Sequence, residues 1–328
     1  MYTPPFKISS KAINLIADIS AQVERYAIRM EQADGLRLRK INRIKTIQGS
    51  LAIEGNTLTE NQITDILEGK PVVAPIREIK EVRNAVKVYD LFEALNPFSI
   101  EDLKKAHSVM MEALIDDAGR FRHGSVGVVS GRQVVHLAPP ANRVPFLVQD
   151  LFGWLQHAED HLLIRSCVFH YEFEFIHPFS DGNGRMGRLW QSLILRTLHP
   201  VFAYLPVENM VFANQQGYYE AINRSSVEAN SGLFADFMLQ EIFNALKSRQ
   251  GEPLKNNVGV NVGVNVGVKQ EILDYLKKDP TLSAKKLSTL LNKTQRTAER
   301  NIKELREQGL LLREGSDKAG YWKINQEK

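Results

Sequence analysis

The sequence predicts a mainly α-helical protein with one β-hairpin set among the helices and a small winged helix-turn-helix domain at the C-terminal end. Three observations carry that expectation. Apolar residues recur every three to four positions through most of the first 250 residues, as at Ile13, Ile16, Ile19, Val23 and Ala27. The pattern changes to paired β-branched runs only between Gly124 and Leu137. Near the end, three helical segments precede two short strand-like runs, the order of a winged helix-turn-helix.

The elements follow in order. Helices are expected over 11–30 and from Leu36 to Ile53. Thr59-Glu60-Asn61-Gln62 has capping-box form and opens a third, which stops at Gly69-Lys70-Pro71. A fourth spans 76–95 and ends at Asn96-Pro97, and Ser99 caps a fifth, from Ile100 to Leu114. Two Val-rich runs around Ser130-Gly131 form the hairpin, and Pro139-Pro140 closes it. Helices resume at Val144. Strongly apolar helical stretches, Leu162 to Ile176 and Leu189 to Leu198, flank residues 177–188, and further helices cover Ala213 to Asn223 and Leu233 to Lys247. Residues 257–268 repeat Asn-Val-Gly-Val three times. Glycine at every fourth position disfavours a helix, so the run reads as a linker, with strand pairing as the alternative. Beyond it come helices over Gln270–Lys278, from Ser283 through Leu291, and from Thr294 to Gln308. Strands then run over 309–313 and 320–324. The chain therefore divides into an N-terminal helical region (1–95), a core (96–250), a linker (251–268) and the winged helix (269–328).

With 43% hydrophobic and 24% charged residues, the composition is that of a soluble globular protein. The net charge of +4 is unevenly spread: residues 251–328 carry fifteen Lys and Arg against ten Asp and Glu. A basic tail on a neutral body points to a polyanionic partner for the tail, with Lys293, Gln295, Arg296, Arg300 and Lys303 expected outward on its third helix. One cysteine, Cys167, excludes a disulfide framework within the chain. The N-terminus lacks a secretory layout, and no run of eighteen apolar residues occurs, so no membrane partner and a cytoplasmic location are expected.

The most informative stretch is His177-Pro178-Phe179-Ser180-Asp181-Gly182-Asn183-Gly184-Arg185-Met186-Gly187-Arg188. His177 can take a proton near neutral pH from an attacking hydroxyl. Asp181 offers hard oxygen ligands suited to Mg²⁺. Gly182, Asn183 and Gly184, with the first-turn amides of Met186 and Gly187, can line a phosphate cradle at a helix N-terminus. Arg185 and Arg188 stand three apart on one helix face and can grip successive phosphates. Pro178 and Phe179 are expected to pack the loop on the core.

This string resembles the Fic-domain pattern HPFxDGNGRxxR at every fixed position, and the chain is identified as a member of that family, over roughly residues 1–250. The resemblance implies a Fic-type helical bundle whose hairpin is the family's flap. It implies a protein adenylyltransferase that moves AMP from ATP to a Tyr, Thr or Ser hydroxyl of a protein and releases pyrophosphate. On that mapping His177 is the base, Asp181 binds Mg²⁺, residues Gly182 to Gly184 form the anion cradle, and Arg185 and Arg188 hold the phosphates. Glycine rather than lysine at 184 favours AMP transfer over phosphate transfer. Ser50-Leu51-Ala52-Ile53-Glu54-Gly55-Asn56 is similar to the family's inhibitory [S/T]xxxE[G/N], so Glu54 is expected to pair with Arg188, self-inhibiting the enzyme.

Tyr218-Tyr219 resembles an aromatic pair placed near the nucleotide in relatives, with Tyr219 the binding candidate and a core role the alternative. Self-modification and a homodimer are compatible with this class. Two other readings stay open: a DNA-binding regulator with a nucleotide-sensing domain, and removal of AMP by the same site. The winged helix serves either DNA or protein partners.

Overall fold

A computed structural model describes residues 2–32, 35–124, 127–130, 133–248, 272–273, 275–277, 279–291, 295–307, 311–314 and 321–324. The chain splits into two compact units, Met1–Leu254 and Lys255–Lys328. The expected linker at 257–268, the hairpin turn at Gly131-Arg132, and Lys293 and Thr294 lie outside the described residues, as do the side chains of Arg296 and Arg300.

The first unit is helical: α1 (Ser10–Gln32), α2 (Gly35–Ile53), α3 (Glu60–Leu67), α4 (Ile76–Leu91) and α5 (Ile100–Met110) precede the hairpin β1 (Gly127–Ser130) and β2 (Gln133–Leu137). After it come α6 (Val144–His157), α7 (Leu162–Ile176), α8 (Asn183–Leu198), α9 (Val207–Ala213), α10 (Gln215–Val227) and α11 (Gly232–Ser248). Thr59 closes the full capping box with Gln62 at the start of α3, and Ser99 Oγ accepts the Asp102 amide at the start of α5. The strands pair antiparallel from Gly127↔Leu137 to Ser130↔Gln133, with a register shift between Val128 and Val129.

Helix α7 is buried nearly all round and packs against α6, α8 and α11, so it forms the centre of the unit. Phe169 and Phe173 of α7, Trp190 of α8 and Phe179 between them are fully buried. Each such side chain contributes about 1.5–3 kcal/mol through removal from water. The loop 177–182 therefore hangs from two helices that have little freedom to move.

Several boundaries differ from the sequence expectation, each for a local reason. Helix α5 stops at Met110 rather than Leu114, because the chain turns at Ala113, whose φ is 51°. The helix expected over 76–95 ends at Leu91 and tightens into a 3₁₀ turn, Phe92–Ala94. The helix expected over 213–223 starts at Gln215 instead, after α9 ends at Ala213: the intervening Asn214 has a φ of −123°, outside the helical region, and its Nδ2 donates to Glu241 Oε1 at 3.2 Å. Helix α8 starts at Asn183, so half of the glycine-rich string is already helical.

The second unit is a winged helix with its own core of Ile272, Leu276, Leu287, Ile302, Leu305 and Leu311. Ser283 caps the helix Ala284–Leu290, the helix Gln295–Glu307 follows, and strands β3 (Leu311–Glu314) and β4 (Tyr321–Ile324) pair antiparallel. Trp322 pins the wing, its indole Nε1 donating to Leu282 O at 3.1 Å and its amide to Pro280 O at 2.8 Å.

Candidate active site

Helix α7 ends at Ile176, and His177 takes a left-handed conformation (φ 49°, ψ 62°) while its amide still bonds Phe173 O at 2.9 Å. That conformation costs a non-glycine residue free energy, so the surrounding contacts must hold it. Phe179 inserts into the core and stacks on His107, ring centroids 3.6 Å apart. Asn183 clasps the loop from inside: its Oδ1 accepts the Phe179 amide and its Nδ2 donates to Phe179 O, both at 2.9 Å. The Asn183 side chain is thus a structural clasp. Gly182 has φ 84°, which glycine alone adopts cheaply, and a Cβ there would lie 2.7 Å from Met111 Sδ.

No side chain caps α8, so its first amides, at 183–185, have no partner inside the helix, the arrangement by which helix N-termini receive anions. The structure corrects the expectation for the next residues. The Met186 amide already donates to Gly182 O at 3.0 Å, and its side chain is core. Gly187 lets α8 approach α7 closely, since a Cβ there would stand 2.7 Å from Glu174 Oε1 and 3.0 Å from His170 Cδ2.

Arg188, 3% exposed, is bonded by the second motif through Nη2 and Nε. Its Nη2 donates to Glu54 Oε1 at 2.7 Å and to Ser50 O at 3.0 Å, and its Nε reaches Ser50 Oγ at 3.5 Å. Burial alone would lower the Arg188 pKa, but the Glu54 and Glu174 carboxylates raise it above the usual arginine range. Burial pushes Glu174 up to about 8, with Glu54 adding to the rise and Arg188 opposing it, and Glu174 Oε1 has no hydrogen-bond partner. Behind it His170 is held down to about 3 by burial, bonded to Gln191 Oε1 at 2.7 Å and to Tyr218 OH at 3.1 Å. Tyr218 therefore belongs to the core. Tyr219 is 40% exposed, and Gln215 Nε2 donates to its hydroxyl at 3.5 Å and to Ile53 O at 3.1 Å, which ties α10 to the end of α2.

Asp181, with a side chain 42% exposed, accepts from the Gly182 amide at 2.6 Å, from Arg185 Nη2 at 3.2 Å and from Arg77 Nη2 at 3.4 Å. Arg185 is buried, and its Nε has no partner. The Gly119 amide donates to His107 Nδ1 at 2.8 Å, so the His107 proton sits on Nε2 and goes to Asp181 O at 2.9 Å. Burial holds His107 down to about 4, which keeps it neutral. His177 Nδ1 lies 3.3 Å from Glu174 O. A carbonyl only accepts, so this contact puts the proton on Nδ1 and the lone pair on Nε2. Among the described residues, no group of three or more His, Cys, Asp or Glu gathers to hold a metal. A single carboxylate beside phosphates is nonetheless the usual protein share of a Mg²⁺ shell. His107, Glu174 and Arg77 were not anticipated from sequence, because they join the site only through contacts across the fold.

The family model described as Fic/DOC matches residues 97–195, and a winged helix-turn-helix DNA-binding model matches 268–311. The structure superimposes on a Fic family protein from Desulfovibrio desulfuricans G20 at TM-score 0.74, with 39% identity over 100% of this chain and 99% of that one. The chain belongs to the Fic family. It is similar to the protein adenylyltransferase Fic of Nematostella vectensis, 29% identical over 55% of this chain and 42% of the relative. It is also similar to protein adenylyltransferase fic-1 of Caenorhabditis elegans, 34% identical over 48% of this chain and 33% of the relative. The chain thus spans less than half the length of these curated relatives. Among the described residues, no helix is long and apolar enough to cross a membrane.

Proposed function

We propose that the chain is a protein adenylyltransferase that transfers AMP from ATP to a side-chain hydroxyl of a protein, and that Glu54 holds it inactive. The observation that carries this reading is the 2.7 Å pair between Glu54 and Arg188, in which a cation next to an anion-ready helix N-terminus is occupied by the chain itself. The uncapped amides at 183–185 and the Arg185 guanidinium supply phosphate donors. His177 Nε2 takes the hydroxyl proton as that oxygen bonds the α-phosphorus, and the bond to the β-phosphate oxygen breaks to release pyrophosphate. Asp181 would hold Mg²⁺, whose chemistry is to neutralise phosphate charge. Among the described residues its Oδ2 meets only Arg77, at 3.4 Å, a contact that an ion can displace. Gly184 leaves no room for a side chain between the cradle and Glu54. Tyr219, at the open end of α10, is the candidate to border the nucleotide.

Labelled ATP tests this directly. Glu54→Gly should label protein, including the enzyme's own exposed hydroxyls, well above the parent, and His177→Ala in that background should lose about 10²–10⁴ in rate. A Glu54→Gly protein that binds ATP and labels nothing would defeat the reading. Release of AMP from a modified protein uses the same residues, and an AMP-modified substrate separates the two directions. The matched winged-helix model favours a second role for the tail, binding duplex DNA. The full chain should then bind DNA with an affinity that falls steeply with salt; no binding at low salt removes that role.

A further inference from the structure

Arg122 lies between α5 and the hairpin, is 2% exposed, and pairs with no carboxylate among the described residues. Burying a cation without a counter-charge is costly, so a guanidinium in that state is retained where its donors organise something. Among the described residues, every acceptor of its side chain is a backbone carbonyl. Nε donates to His177 O at 2.7 Å, Nη1 to Gly124 O at 2.8 Å, and Nη2 to Pro139 O at 2.5 Å and Ile176 O at 3.3 Å. The Arg122 amide adds a bond to Pro178 O at 3.0 Å.

Those acceptors fall into two groups. Ile176, His177 and Pro178 are the last carbonyl of α7, the left-handed residue that carries the imidazole, and the residue after it. Gly124 and Pro139 stand on either side of β1 and β2. One planar, rigid fork thus binds the His177 backbone to both ends of the hairpin. A cation at the C-terminus of α7 also suits that helix's negative end.

We propose that Arg122 is a positioning residue that fixes the His177 imidazole relative to the hairpin. The inference rests on the reading of His177 as the base. A lysine at 122 would keep the charge but lose the fork geometry, and so should only partly replace it.

The test uses the full chain with Glu54→Gly, alone and with Arg122→Ala or Arg122→Lys. Nitrogen-15 spectra of the His177 imidazole, recorded without nucleotide, should show the Nδ1-protonated tautomer in the parent and a mixture in Arg122→Ala. Single-turnover self-labelling at saturating ATP should fall on the order of a hundredfold in Arg122→Ala, with ATP affinity unchanged and Arg122→Lys between the two. A parental spectrum and rate in Arg122→Ala overturns the proposal. So does a parallel loss of rate, ATP affinity and melting temperature, which marks a mere strut. If Arg122→Ala does not fold, Arg122→Lys decides by the same two readouts. Should the Glu54→Gly parent itself label nothing, the transferase reading fails, while the imidazole spectra still decide the positioning.

Discussion

At the scale of single residues, the contest at Arg188 organises the site. Its guanidinium is buried beside Glu54 and Glu174, and only Glu54 sits within hydrogen-bond distance. Gly184 lies against that pair: a Cβ there would collide with the Glu54 carboxylate and come 3.0 Å from Arg188 Nη1. Gly184→Ala should therefore destabilise the protein by about 1–3 kcal/mol, the usual effect of overpacking. Adding Glu54→Gly should recover most of that loss. Denaturant unfolding of the four proteins checks it, and simple additivity would show that Glu54 is not what Gly184 accommodates. His177, Asp181, Arg185, Arg188 and Glu54 were legible in the sequence because two compact motifs carry them. Arg122 and His107 were not, since their acceptors lie 55 and 74 residues away.

Among the elements, the decisive packing is α2 on α9. A Cβ at Gly49 would stand 3.0 Å from Asn209 N and 3.1 Å from Glu208 C, backbone atoms that do not yield. Gly49→Ala should push apart the helix that delivers Ser50 and Glu54, costing about 1–3 kcal/mol. Under the self-inhibition reading it should also raise labelling, although residue 49 does not touch Arg188. Thermal melts with labelled ATP measure both, and a destabilised variant that still labels at the parental rate would argue against the coupling. The helices were largely visible as apolar periodicity. Their ends were less so, as at Asn214, because a bond to Glu241 on α11 breaks the pattern there and periodicity does not report such bonds.

For the whole molecule, buried titratable groups set the pH response. Burial raises Glu174 to about 8 and Glu172 and Glu208 to about 7. Their unfolded forms ionise near 4.5, so between 4.5 and 8 the folded state holds more protons and stability falls as pH rises. His107 and His170 are depressed to about 4 and about 3, so they remove stability as pH falls below 6.5. From 6.5 to 8 the carboxylates act without that opposition, and the melting temperature should drop. Each proton contributes at most about 1.4 kcal/mol per pH unit. Glu174→Gln should flatten the upper part of the slope; an unchanged slope would mean Glu174 is ionised in the folded protein. Because each unit has its own core, a fragment ending at Leu254 should melt cooperatively and keep its response to Glu54→Gly. Aggregation of that fragment would show that the tail is needed for folding.

The residues of the candidate cradle, the helical character of the chain and the winged tail were all visible in local order, because capping, periodicity and loop motifs act over a few positions. The pairing of Arg188 with a carboxylate 134 residues earlier was expected from motif likeness, but its 2.7 Å geometry came from folding. So did the clasp by Asn183, the neutral His107, the raised Glu174 and the Arg122 fork. These depend on burial and on partners from distant helices, and desolvation exists only once the core has closed.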